Sequence, residues 1–76
     1  AVVAMPNDEI ANVIRRLRFE NGEMTQLELA NRAGVTRQTI IALEAGKYAP
    51  SLSLAFRIAR VFGQTVDEIF TWDGDD

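Results

Sequence analysis

Apolar residues recur along the chain at three- and four-residue spacing, and no run alternates in the manner of a strand, so the pattern predicts an all-helical fold. Ile10, Val13, Ile14 and Leu17 form the first stripe, on a helix starting near Asn7 or Asp8 and ending at Asn21-Gly22, where glycine admits a left-handed conformation. The second helix opens at Thr25, with Glu28 completing a capping box, and directs Leu27, Leu29, Ala30 and Ala33 inward as far as Gly34. Thr36 caps a third helix, carrying Ile40 and Leu43 on its core side to Ala45 and Gly46. Ser51 caps a fourth, Leu52 to Phe62, apolar almost all round and therefore expected at the centre of the fold. Thr65 and Glu68 repeat the capping-box logic for a short fifth helix presenting Val66, Ile69 and Phe70.

Seventy-six residues suit one domain: an arm at 1–7, the folded unit at 8–72 and a disordered acidic tail at 73–76. A chain of this length hides only about 60% of its unfolded surface, so extra buried area from a partner adds stability that matters. With neither Cys nor His, disulfides, imidazole or thiolate metal sites and Ser-His or Cys-His nucleophile pairs are excluded. No cofactor or metal is expected. The apolar runs fall short of the roughly 18 residues that span a bilayer, and "AVVAM" lacks the charged start of a signal peptide, which leads to an expectation of a soluble cytoplasmic protein. No second, ligand-binding domain is read, so control is expected from the chain's own concentration, autorepression or a partner.

The net charge of −3 is unfavourable for an anionic partner, but the average conceals a polarity. All eight basic residues lie between positions 10 and 60 with four acidic ones, and the other seven acids sit at the ends. The basic stretch contains two closely joined helices with specific spacing. Ala30 is small where the next helix crosses, Gly34 supplies the turn, and Ile40 fills the angle between the helices. An ordinary helix pair accounts for each residue singly but less well for the set.

With Ile40 and Leu43 in the core, the outer face of the third helix presents Arg37, Gln38, Ile41 and Ala42. Arg can pair with guanine O6 and N7 and Gln with adenine, while Ile41 and Ala42 suit thymine methyls. Such a helix enters the major groove of double-stranded DNA by its leading end. Gln26, Thr36, Thr39, Lys47, Arg15 and Arg16 surround it as phosphate contacts. Each also has a plain reading as a cap or a solvated charge.

The run T-Q-x-x-L-A-x-x-x-G-V-T-R-Q-T-I over 25–40, followed by E-x-G-K-Y-x-P-S over 44–51, resembles the helix-turn-helix family of Cro, CI and xenobiotic-response-element regulators, in particular its short stand-alone prokaryotic members. The resemblance extends over residues 8 to 72. It implies a five-helix, lambda-repressor-like domain, phosphate anchoring by Gln26, base reading by Arg37 and Gln38, a structural role for Glu44, action at a promoter and frequent dimerisation. Ile41 departs from the pattern, where a polar residue is usual.

One recognition helix reads too few base pairs for high specificity, which points to a homodimer on paired half-sites. Phe56, Ile69, Phe70 and Trp72, with Leu52, offer more large apolar surface near the C-terminal end than a small core needs, and are the interface expected from sequence. The same surface admits a second reading, an antitoxin-like or adaptor module with a protein partner. An enzyme has almost no support and no catalytic residue is assigned; a pair such as Glu44 with Lys47 reads as an exposed ion pair.

Overall fold

In the computed structural model, which describes residues 10–73, the order is β1 (Ile10–Asn12), α1 (Ile14–Glu20), α2 (Gln26–Ala33), α3 (Arg37–Glu44), α4 (Leu52–Phe62), α5 (Val66–Ile69) and β2 (Phe70–Trp72). The fold is mostly helical, as the periodicity predicts. The arm at 1–7 and residues 74–76 of the tail lie outside the described residues, and Asp73 follows β2 outside any element.

The first helix departs from expectation. It starts at Ile14, and Ile10–Asn12 instead form a strand antiparallel to Phe70–Trp72, with Ile10 opposite Trp72 and Asn12 opposite Phe70. Three residues with intermediate apolar spacing fit either element, and pairing across more than fifty positions decides between them. Asn12 then makes the transition into α1. Its Oδ1 accepts from the Ile14 amide at 3.1 Å, and its Nδ2 donates to the Leu43 carbonyl at 3.0 Å, tying the start of α1 to the last turn of α3. The Val13 amide donates to the Ile69 carbonyl at 3.0 Å, so the two ends of the domain are joined.

Side-chain caps place the other helix starts. Thr25, Thr36 and Ser51 accept from the amides of Glu28, Thr39 and Leu54, each interaction contributing about 1 kcal/mol. The box expected at α2 is half made, because the Glu28 carboxylate pairs with Arg32 at 2.8 Å rather than turning back. At α5 the Glu68 carboxylate does turn back, accepting from the Thr65 amide at 2.8 Å. Between α2 and α3, Gly34 adopts φ 72°, and the Val35 amide closes onto the Ala30 carbonyl at 3.0 Å. A Cβ at Gly34 would be strained in that conformation and would also lie 3.1 Å from Arg57 Nη1.

Ile14, Leu29, Ile40, Leu43, Ile58 and Ile69 are the largest fully buried side chains. Each contributes about 1.5–3 kcal/mol of burial. Ala30 and Ala33 are buried with them, consistent with close approach of α3 and α4 to α2. Three expectations of burial or exposure are corrected. Leu27 is 54% exposed, because the buried stripe of α2 runs through Leu29, Ala30 and Ala33 and leaves position 27 at the helix margin. Helix α4 is two-faced, burying Leu54, Ala55, Ile58, Ala59 and Phe62 while Leu52 and Phe56 face outward. Ile69 and Phe70, expected at a dimer interface, are buried in the chain's own core, where α5 and β2 close the domain against β1 and α4. No helix among the described residues is long and apolar enough to cross a membrane.

Candidate nucleic-acid interface

The leading end of α3 is built by its cap. Thr36 is extended, its hydroxyl accepts from the Thr39 amide at 3.2 Å, and the two threonine hydroxyls lie 3.0 Å apart. This sets the first helical turn immediately after Gly34 and leaves Arg37 and Gln38 exposed in it. Ile40 and Leu43 fix the roll of the helix from the opposite side, being fully buried. Ile41 and Ala42 are half-buried and Ala45 is exposed, so apolar surface on this face remains partly open. The following loop folds back on α3: the Tyr48 hydroxyl donates to the Thr39 carbonyl at 3.3 Å, and the Lys47 amide to the Ala42 carbonyl at 3.0 Å.

Beside Arg37 lies an open cleft of about 500 Å³ lined by Arg15, Arg18, Thr25, Gln26, Leu27, Arg37 and Glu44. It brings the starts of α2 and α3 together with the outer side of α1. Glu44 is the one carboxylate in the lining, and its charge is taken up locally. Arg18 grips it with two donors, Nε to Oε2 at 2.7 Å and Nη2 to Oε1 at 3.0 Å, while Arg18 Nη1 donates to the Met24 carbonyl at 2.9 Å. Side-chain exposure of 15% for Arg18 and 10% for Glu44 makes this a largely desolvated, bidentate pair rather than a surface one. Gln26 Nε2 approaches Glu44 Oε1 at 3.4 Å, which orients the amide at the cleft wall. Arg15 and Arg37 have no ion-pair partner among the described residues, leaving the cleft two uncommitted positive charges.

Of the six phosphate contacts expected from the sequence, the fold gathers only some. Arg15 and Gln26 share the cleft with Arg37. Arg16 points elsewhere, paired with Glu20 across one exposed helical turn at 3.7 Å. Thr36 and Thr39 sit at the α3 start with their hydroxyls on each other, and Lys47 is exposed on the loop after α3. The expected pairing of Glu44 with Lys47 is not made, since Arg18, twenty-six positions away, reaches the carboxylate first. Nothing local marks the long-range partners of Arg18 and Asn12, the Glu44 carboxylate and the Leu43 carbonyl, which come from distant segments.

These features match a known family. The profile of the helix-turn-helix family aligns with residues 14–69, nearly all of the described fold. The chain belongs to the Cro/CI-type helix-turn-helix family. It is 59% identical over 64 residues to an uncharacterized HTH-type transcriptional regulator of Methanothermobacter thermautotrophicus, an alignment covering 83% of this chain and 91% of that protein. Another from Methanocaldococcus jannaschii is 55% identical over 53 residues, covering 70% and 80%. A Bacillus subtilis relative, also an uncharacterized HTH-type transcriptional regulator, is 41% identical over 59 residues, covering 78% and 88%. The Cro/CI-type family is one of DNA-binding transcriptional regulators rather than an enzyme class.

Proposed function

We propose that the protein is a sequence-specific double-stranded DNA-binding regulator, acting as a repressor, which reads its operator with the helix over 36–45 in the major groove. The observation that carries this reading is the placement of Arg37 and Gln38. They are exposed in the first turn of α3, beside a cleft whose single carboxylate is already neutralised by Arg18. The first turn of α3 holds no acidic residue. An arginine at a helix N-terminus opposes the helix dipole, at a cost of about 0.3–1 kcal/mol. An anionic, acceptor-rich partner in front of the helix reverses that penalty. In this reading Arg37 and Gln38 read base edges, Ile41 and Ala42 touch thymine methyls, and Gln26, Arg15, Thr36, Thr39 and Lys47 hold phosphates.

Two copies bind together. Leu52, Phe56 and Trp72 are 71%, 55% and 58% exposed, and they supply the apolar surface for a homodimer that spans two half-sites. Bound over a promoter, such a dimer excludes other proteins by occupancy. The same exposed residues favour, as a second reading, a protein partner docked on this apolar surface.

The test is selection from a randomised duplex library, with affinities repeated at several salt concentrations. An enriched palindrome with half-sites about 34 Å apart is expected. Binding with a salt slope but no enriched sequence, or no binding, refutes the reading and leaves the protein-partner alternative.

A further inference from the structure

Leu27 is unexplained by the core. It is 54% exposed at the second position of α2, yet it lines the same cleft as Arg15, Gln26 and Arg37. The amide of Glu28 is bound by Thr25 and that of Leu29 by the Thr25 carbonyl, whereas those of Gln26 and Leu27 have no partner among the described residues. The leucine thus shares the cleft with two amide donors and two guanidinium groups that have no partner among the described residues, a donor set suited to an anionic strand. An anion set there as part of a nucleic-acid strand carries an apolar neighbour, because the C4′ and C5′ carbons of the sugar flank every phosphate.

We propose that Leu27 packs against a deoxyribose of the strand whose phosphate lies in this cleft, supplying an apolar, sequence-independent clamp next to the charged one. The inference rests on the DNA-binding reading above. A sugar fits better than a base as its contact, since the base-facing side chains project from α3 while Leu27 lies at the start of α2 with the backbone donors. Closing the exposed half of a leucine against carbon corresponds to about a three- to tenfold gain in affinity. The gain involves no released counterion, so it leaves the salt slope unchanged.

The experiment uses the full chain and a fluorescently labelled duplex taken from the library selection, alongside a scrambled duplex of equal length. Anisotropy titrations run at several salt concentrations and at a temperature where circular dichroism shows every variant folded. Leu27→Ala should weaken binding to both duplexes by the same factor, about three- to tenfold, with an unaltered slope of log affinity against log salt. Leu27→Met should restore most of the affinity. Arg15→Ala, by contrast, should flatten the slope by about one unit. Unchanged affinity in Leu27→Ala overturns the inference alone, as does a loss confined to the selected duplex, which assigns Leu27 to a base, or a changed slope. If the unsubstituted chain binds neither duplex, the DNA reading falls and this inference with it.

Discussion

Removing one partner of the Arg18–Glu44 pair should cost far more than its position beside an open cleft suggests. The total stability of a 76-residue domain is about 4–11 kcal/mol, taking roughly 0.05–0.15 kcal/mol per residue. Breaking a buried pair from one side costs about 3–5 kcal/mol, because the surviving charge is left desolvated. Here the two sides are unequal. Without Glu44, the Arg18 guanidinium keeps the Met24 carbonyl. Without Arg18, the Glu44 carboxylate keeps only the Gln26 amide at 3.4 Å, and the Met24 carbonyl loses its Arg18 donor as well. Arg18→Ala is therefore the worse substitution, near the upper end of that range, with Glu44→Ala near the lower.

Urea denaturation followed by circular dichroism reads both. With a slope of about 1 kcal/mol per molar urea for so small a domain, the midpoint should fall by about 3 M for Glu44→Ala and further for Arg18→Ala. Replacing both residues with apolar ones, Arg18→Met with Glu44→Leu, removes the stranded charge and should return the domain to within about 1.5 kcal/mol of its original stability. Single losses below about 1 kcal/mol would instead show that water reaches the pair and screens it as at a surface. A double variant as unstable as Arg18→Ala would refute the stranded charge as the cause, because the cost would then lie in lost packing rather than in an unpaired charge.

Arg37→Ala should cost about 1–3 kcal/mol on the selected operator and relax base preference at one position, whereas Lys47→Ala should weaken all duplexes alike and flatten the salt slope by about one unit; library selection repeated with each variant separates the two. On the homodimer reading, the unsubstituted chain should sediment as a dimer at micromolar concentration and Phe56→Glu as a monomer, with little effect on the unfolding midpoint because Phe56 is exposed within the protomer. Asn12→Ala leaves the Leu43 carbonyl and the Ile14 amide without their side-chain partners and should destabilise the domain by about 1–3 kcal/mol in thermal or urea unfolding.

The elements that were legible in the sequence are those specified by neighbours. Thr25, Thr36 and Ser51 cap helices three residues ahead of the amides they bind, and Gly34 makes its turn through its own φ, so local pattern suffices for α2, α3 and α4. The features missed are specified by distance in the chain. The strand at Ile10–Asn12 exists because Phe70–Trp72 lies alongside, and the buried state of Ile69 and Phe70 follows from the same closure. Leu27 shows the opposite error. It is apolar, one turn from buried positions, and still outside, because the core contact of α2 is narrow enough for Leu29, Ala30 and Ala33 to fill. At the site, Arg37 and Gln38 were legible as positions left over by the core. Arg15 and Arg16 were indistinguishable until the roll of α1 set one in the cleft and paired the other with Glu20.

The acidity of the chain and the chemistry of the cleft are compatible because charge is partitioned along the sequence and most acids of the basic stretch are paired in the fold. Three of the four acids in the basic stretch are committed to arginines, Glu44 to Arg18, Glu28 to Arg32 and Glu20 to Arg16, and the fourth, Glu23, lines a neighbouring cleft with Arg15 and Arg18 without an ion pair among the described residues. What remains facing outward at the start of α3 is Arg37 with Arg15 beside it, while Asp67, Glu68 and Asp73 sit in and after α5. A phosphate at the cleft responds chiefly to the charges within about 10 Å of it at physiological salt, and exposed carboxylates beyond that range are largely screened. Net charge is thus a poor guide to what this chain binds. The number of arginines left without a partner at the leading end of α3 is a better one.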